Sequence, residues 1–334
     1  MSFESWVGKF SFDSGLKTQD SRLFMAGLLS PNFPKAAIGL ERDNVTALAL
    51  ERHGKGQFGI KQAATVALPE NLLKPNFLEK NIASIDELLV YLTEAVRNAG
   101  LLKQKRWSVS LPSGAARTAI LTLENEPASK EELAQVLDWK AERSFGAPAA
   151  ELRISQQKIS PDPNGKSRYF ATAVKLTVLD EYETAFERMG WKAGLILPRA
   201  VGEVNWLVGG DRQSDSLLIS SQYDGFTAVL LRGDEPTVVR SVTCEPGEID
   251  DEIYRLLMFY RDRFGGGENR NFLSKLLVVG KIFNFNRLRE ISAEALGTTL
   301  QILRPEDVGL NLPASSLRFD EIAAPAGIAA LAWS

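Results

Sequence analysis

The sequence predicts an α/β protein made of two similar lobes, with a smaller α+β subdomain inserted between the two copies of the repeated pattern. The same order of three strands, a helix and a strand occurs around residues 36–111 and again around 216–280. A helix, a hairpin, a second helix and a strand lie between the two copies, near 129–197. Two lobes of one design usually leave a ligand cleft between them.

Composition excludes several classes of protein. The 334 residues include 39 basic and 42 acidic side chains, which give a net charge of −3 and argue against nucleic acid as a partner. No apolar run approaches the roughly 20 residues that cross a bilayer. The chain has one histidine, His53, and one cysteine, Cys244, so that it cannot form a Cys/His zinc site or an internal disulfide.

The first copy follows a polar tail, 1–35, that is closed by Pro31 and Pro34. Strand-like runs at 36–40, 45–50 and 58–68 are separated by polar or glycine-rich turns. A helix follows, in which Ser84 and Glu87 form a capping box. Its apolar residues recur at helical spacing and precede a buried strand at 107–111: Ile85, Leu88, Leu89, Leu92, Val96 and Ala99.

The second copy repeats this order with different residues. Strand-like runs occupy 216–220, 227–231 and 236–243, and a strand at 276–279 ends the copy. The helix between them has acidic residues in its first turn, where the helix dipole favours negative charge, and Gly265-Gly266-Gly267 ends it. One side of this helix is apolar: Ile249, Ile253, Leu256, Leu257, Tyr260 and Phe264.

The intervening unit is large enough to be a small subdomain. Its first helix begins at Ser129, its hairpin strands are 152–159 and 168–175, and a second helix precedes a strand at 193–197. The predicted division of the chain is a tail, 1–35; a first lobe, 36–125, with 198–213 and the C-terminal segment 320–334 packing at the lobe junction; an inserted α+β subdomain, 126–197; and a second lobe, 214–319.

Four stretches stand in the order and spacing of one known family: 38–41, 109–114, 130–142 and 326–332. By these stretches the sequence resembles the PilM family of type IV pilus assembly proteins. That family is related to FtsA and belongs with actin, Hsp70 and hexokinase to one superfamily of ATP-binding proteins. The resemblance covers 36–334 and implies an actin-like fold with duplicated RNase H-like lobes.

In that superfamily one hairpin per lobe holds the nucleotide phosphates, with an aspartate for the metal and a glycine that allows close approach of the backbone. In the first hairpin Glu41 stands for the aspartate and Asp43 for the glycine. In the second, Ser220 and Gln222 align with that pair, although a shift of one or two residues would bring Asp224-Gly225 nearer the tip.

The resemblance also implies a pair of glycines on the adenosine side of the nucleotide site, of which this sequence keeps only the first, in Gly280-Lys281. It therefore implies that magnesium ATP binds weakly or not at all and is not hydrolysed, because a carboxylate repels a triphosphate and a side chain blocks its approach. The positions that match the family's cofactor site are Glu41, Asp43, Asn44, Ser220, Gln222 and Gly280. No catalytic residue and no metal ligand are predicted.

The resemblance implies a cytoplasmic scaffold, not an enzyme, that is held at the inner membrane by its partner. That partner is a PilN-like single-pass membrane protein, whose short N-terminal peptide binds in a groove near the inserted subdomain. Trp139 and Phe145 are either core residues or contacts in this groove. Two alternatives stay open: an active actin-like ATPase, and the cytoplasmic domain of a GspL-like type II secretion protein.

Overall fold

The computed structural model describes residues 33–208, 214–264, 272–313 and 317–333. The predicted tail up to residue 32 and the glycine run 265–267 lie outside the described residues. Within the described ranges, no helix is long and apolar enough to cross a membrane.

The first lobe is built on a six-stranded sheet with the order β14-β3-β2-β1-β4-β8. The strands β1 to β3 form an antiparallel meander, and β4 and β8 continue from β1 in parallel. The bounds are β1 Ala36–Leu40, β2 Asn44–Gly54, β3 Gln57–Ala67, β4 Arg106–Leu111, β8 Lys192–Pro198 and β14 Leu310–Asn311.

Two helices cover one face of this sheet, α1 (Ile85–Asn98) and α3 (Leu176–Arg188), and share one apolar core with it. One half of the predicted capping box of α1 is present, because the Glu87 backbone N–H donates to Ser84 Oγ at 3.3 Å. Trp107 is fully buried in this core and packs against Trp191, with the ring centres 5.4 Å apart and the ring planes tilted by 51°.

The second lobe repeats the topology of the first. Its five-stranded sheet has the order β11-β10-β9-β12-β13, in which an antiparallel meander is again continued by two parallel strands. The bounds are β9 Asp215–Gln222, β10 Gly225–Arg232, β11 Glu235–Thr243, α5 Ile249–Phe264, β12 Leu273–Val279, α6 Phe285–Leu296 and β13 Gln301–Leu303. Both sheets therefore have the RNase H-like order that the doubled pattern predicts.

The inserted subdomain has its own three-stranded sheet, with the order β5-β7-β6. Its elements are β5 Ala116–Thr122, α2 Lys130–Phe145, β6 Leu152–Ile159 and β7 Arg168–Lys175. The predicted boundaries, 126–197, need correction to about 116–175. The reason is that β8 pairs with β4 in the first lobe, α3 packs in that lobe's core, and β5 pairs with β7.

Two helices fill the junction between the lobes, α4 (Arg199–Val204) and α7 (Phe319–Ala330). They cross at a glycine contact, because a Cβ on Gly327 would lie 1.9 Å from the Gly202 carbonyl oxygen. The Trp206 indole donates to the Ala323 carbonyl at 2.7 Å, and Asn205 donates to that of Gly327 at 2.9 Å. The junction is a core shared by both sheets, so the lobes are held closely together at the base of the cleft.

Candidate functional site

A cleft of about 990 Å³ lies between the lobes, where β1 and β9 end. Its lining includes the turns after β1 and β9, the start of α4, the loop 68–77, residues 112–118, the end of α2, and parts of β10 and β11. The predicted phosphate hairpins of both lobes thus face one space, as the resemblance implies.

The backbone register fixes how the two hairpins correspond. The Glu41 N–H donates to the Asn44 carbonyl at 2.9 Å, which leaves residues 42–43 as the turn. Gln222 pairs with Gly225, which leaves 223–224 as the turn of the second hairpin. Gln222 is therefore the counterpart of Glu41, and Asp224 is the counterpart of Asp43. The alignment predicted for the second hairpin is displaced by two residues, within the slip allowed for it.

Both hairpins consequently have an aspartate, Asp43 or Asp224, where the superfamily has its glycine. Both side chains are exposed and line the cleft. A phosphate group that approached either turn would meet a carboxylate and a Cβ in place of bare backbone N–H groups. Each of the two hairpin turns thus presents a carboxylate to the cleft.

A cation–π contact joins the two turns across the cleft. The Arg42 guanidinium lies 3.6 Å from the centre of the Tyr223 ring. The two residues hold the same position in their hairpins, so the contact bridges the two predicted phosphate hairpins. The positive charge of Arg42 therefore faces an aromatic ring.

A buried ionic triad lies behind the first hairpin. Arg199, at the start of α4, contacts Glu41 Oε1 with Nη1 at 3.0 Å and donates from Nε to Glu203 Oε1 at 2.6 Å. Burial raises the pKa of the Glu41 carboxyl to about 7, although Arg199 opposes this. Burial alone would lower the pKa of Arg199, but its two carboxylates raise it overall. Glu41, which aligns with the family's metal-binding aspartate, is thus already paired with a guanidinium.

The remaining predicted cofactor positions serve local structure. Asn44 donates from Nδ2 to Asp43 Oδ1 at 2.7 Å, and Ser220 is buried within β9. Gln222 donates to Thr227 Oγ1 and belongs to a hydroxyl and amide wall on the second lobe.

On the adenosine side, Gly280 leaves no room for a side chain. A Cβ there would lie 1.9 Å from Ser221 Oγ, and its φ of +128° favours glycine. Lys281 lies 3.9 Å from Glu321 in an ion pair. Across the described ranges, no group of three or more His, Cys, Asp or Glu side chains is placed to hold a metal ion.

The two predicted partner contacts have different surroundings. Trp139 is half exposed on α2, with Lys140 and Arg143 close to its ring, and it does not line the cleft. Phe145 is buried in the core of the inserted subdomain. The end of α2 reaches the cleft at 144–145, whereas Trp139 does not, so the two residues do not line one groove.

Sequence reasoning missed Arg199, Glu203 and Tyr223. One signal was present for the first two: an Arg and a Glu four residues apart interrupt the otherwise apolar run 193–208. Charges at that spacing within a buried segment indicate a paired, desolvated site. Tyr223 gave no such signal, since its partner comes from a hairpin 180 residues away.

No family model and no curated protein matches the chain. Among solved structures it is similar to a chain of a PilM–PilN type IV pilus biogenesis complex, with a TM-score of 0.71 and 15% identity over 91% of this chain and 100% of that one. A looser match is the cytoplasmic domain of EpsL from the type II secretion system of Vibrio cholerae, with a TM-score of 0.46 and 10% identity over 89% of this chain and 93% of that one. Another is a Bacteroides thetaiotaomicron protein with an actin-like ATPase fold, with a TM-score of 0.44 and 10% identity over 88% of this chain and 95% of that one. The chain has the actin-like fold, and its resemblance to PilM is confirmed as one of fold.

Proposed function

We propose that this chain is a scaffold of a type IV pilus assembly platform and that its interlobe cleft binds the cytoplasmic N-terminal peptide of a PilN-like single-pass membrane protein. The observation that carries the proposal is the fold match to a PilM–PilN type IV pilus biogenesis complex, which spans 100% of the matched chain. In this role the chain acts in the cytoplasm and reaches the inner membrane through its partner.

The charges of the cleft support a peptide as the occupant in preference to a nucleotide. Four acidic and three basic side chains line it, so it is not a basic anion site: Glu41, Asp43, Glu70, Asp224, Arg42, Arg117 and Arg199. Arg42 is engaged by Tyr223 and Arg199 by two carboxylates. The third, Arg117, lies over the Phe77 ring and donates to the Phe145 carbonyl, so all three cations of the cleft are engaged within the protein itself.

The second-lobe wall supports the same conclusion. Gln222, Thr227 and Ser241 form a side-chain network of neutral donors and acceptors. Neutral groups of this kind match the amides of a peptide, whereas phosphates need positive charge or free backbone N–H groups. We therefore propose that the chain does not hydrolyse ATP.

A pull-down tests this proposal. The full chain is immobilised and offered a synthetic peptide of the N-terminal cytoplasmic residues of the single-pass membrane protein expected to be encoded next to it. Capture that is lost in Thr118→Trp, which fills the cleft, and kept in Trp139→Ala supports the cleft. Loss in Trp139→Ala alone would place the partner on the outer face of α2, and no capture by the parent chain would refute the proposal.

A further inference from the structure

We propose that the chain contacts an anionic membrane directly, through the end of the first lobe that lies opposite the cleft. This goes beyond the proposed function, in which the chain reaches the membrane through its partner. Three segments form the surface concerned, here called the basal surface: 33–35, 97–106 and 188–192. The cleft and the basal surface lie at opposite ends of β1, β4 and β8, so occupation of one does not block the other.

The strand arrangement brings the three segments together. The strands β1, β4 and β8 are adjacent and parallel, and each segment leads into one of them. The Lys192 backbone N–H donates to the Lys105 carbonyl at 2.7 Å, which ties the third segment to the second. Ser108 Oγ donates to the Pro34 carbonyl at 2.9 Å, which ties the first segment to β4. The three segments therefore form one continuous surface at this end of the lobe.

The charge of the basal surface is positive. Its segments contain seven basic residues and no acidic one, and all seven side chains are exposed: Lys35, Arg97, Lys103, Lys105, Arg106, Arg188 and Lys192. Without these seven, the 39 basic side chains of the chain become 32 against 42 acidic ones. Arg188 is paired with Asp86. The acidic residues next in sequence, Glu94 and Glu187, belong to the helices that precede the segments. A positive surface on a chain of net negative charge is the complement of an anionic leaflet.

An exposed apolar side chain belongs to the same surface. Leu102 is 55% exposed, and two lysines of the basal surface follow it in the same turn. The Leu101 N–H donates to the Val96 carbonyl at 2.9 Å, and the Gln104 N–H donates to the Leu101 carbonyl at 2.8 Å. Because these bonds fix the backbone on both sides of Leu102, the turn holds this leucine outward.

A leucine among lysines favours a bilayer over other anionic macromolecules. Lipid headgroups pair with the ammonium groups, and the boundary between headgroups and acyl chains accepts the apolar side chain. The long lysine side chains can cover apolar surface and keep their charges among the headgroups. A nucleic acid is held through its phosphates, to which an exposed leucine contributes nothing. The occupant to which the basal surface is matched is therefore an anionic lipid surface.

Vesicle co-sedimentation tests the inference on the full chain. Vesicles of phosphatidylcholine, alone or with about 30% phosphatidylglycerol, are mixed with the chain in about 0.1 M NaCl, and the partition coefficient is measured. We expect binding to the anionic vesicles, little binding to the neutral ones, and loss of binding in about 0.5 M NaCl, because salt screens the charges. Equal binding to both kinds of vesicle, or binding to neither, would overturn the inference.

Variants of the basal surface locate the contact. Each basic residue close to an anionic leaflet strengthens binding by about fivefold. Neutralising three of them in Lys103→Gln with Lys105→Gln and Lys192→Gln should therefore lower the partition coefficient by about 100-fold. Leu102→Ser, which changes no charge, should lower it by about tenfold, because the bilayer no longer takes up the apolar side chain. An unchanged partition coefficient in either variant would contradict the inference.

The matched control makes the same change in charge elsewhere. Lys74→Gln, Lys80→Gln and Lys130→Gln together remove three exposed lysines that lie outside the basal surface, and should lower the partition coefficient by less than about fivefold. An equal loss in the two triple variants would mean that the overall charge governs binding, which would overturn the inference. Circular dichroism of each variant confirms that it is folded, and capture of the partner peptide should be unchanged in all of them, so the proposed function stands or falls separately.

Two further measurements distinguish other sources of binding. A short DNA duplex that binds the chain as tightly as the anionic vesicles do, with no effect of Leu102→Ser on either, would assign the surface to nucleic acid. The segment before the described residues joins the fold at Pro34 and contains the apolar run 23–29. Loss of vesicle binding in Phe24→Ser with Leu28→Ser, together with full binding in the triple variant of the basal surface, would place the contact in that segment. Either result would contradict the inference.

Discussion

Replacement of Arg199 by methionine would leave two buried carboxyl groups without their shared cation. Glu203 is fully buried, and its Oε2 has no hydrogen-bond partner among the described residues, so its charge depends on the guanidinium at 2.6 Å. Glu41 is 17% exposed and loses its contact at 3.0 Å. Removal of one member of a buried ion pair costs about 3–5 kcal/mol, because the other charge stays buried and unpaired.

We expect Arg199→Met to lower the free energy of unfolding by that amount, as measured by urea denaturation followed by circular dichroism. The matched control is Arg304→Met, which removes an exposed arginine paired with Asp307 and should change the urea midpoint little. A triple variant, Arg199→Met with Glu41→Gln and Glu203→Gln, should recover much of the loss. A loss below about 1 kcal/mol in Arg199→Met would refute the description of the triad as a desolvated charge cluster.

Three further outcomes are expected. The pKa of Glu41 is about 7 in the folded chain and 4.5 ordinarily, so its contribution to the free energy of unfolding is full below about pH 4.5 and falls by about 1–3 kcal/mol as the pH rises to 7. Urea titrations across this pH range should show that fall in the parent chain and not in Glu41→Gln. An unchanged slope in Glu41→Gln would contradict the assignment. In a double-mutant cycle of Arg42→Ala and Tyr223→Ala, unfolding should give a coupling of about 0.5–1 kcal/mol, and zero coupling would rule out the contact. Isothermal titration with millimolar magnesium ATP should show no low-micromolar binding, and such binding, or nucleotide retained through purification, would revive the ATPase alternative.

The duplicated lobes could be predicted because strands and amphipathic helices leave local patterns, and the order of elements repeats. The limits of the inserted subdomain could not be predicted in the same way. Strand β8 follows the second helix of that unit in sequence, yet it pairs with β4, where Arg106 faces Lys192 across 86 residues of sequence. Pairing between distant strands has no local signature, so the pattern alone could not assign β8 to its sheet or α3 to its core.

The candidate site was predictable to a similar extent. The resemblance predicted that the two hairpin turns face one cleft, and they do, because each turn follows the first strand of its lobe. The register of the second hairpin depended on which residues pair across its turn, and only the pairing of Gln222 with Gly225 resolves it. The contacts of Arg42 with Tyr223 and of Arg199 with Glu41 join segments that are distant in sequence, so they became apparent only in the fold. The pair of Arg199 with Glu203, four residues apart, is the part of the triad that left a local signal.

The claim that the cleft holds a peptide and not a nucleotide is tested most directly by one titration. A fluorescein-labelled peptide of the partner's N-terminal cytoplasmic residues is titrated with the full chain, and its anisotropy is recorded with and without 5 mM magnesium ATP, a concentration of about the cellular order. The account predicts a saturable rise in anisotropy with the same midpoint in both conditions. Absence of saturation, or displacement of the peptide by ATP, would contradict it.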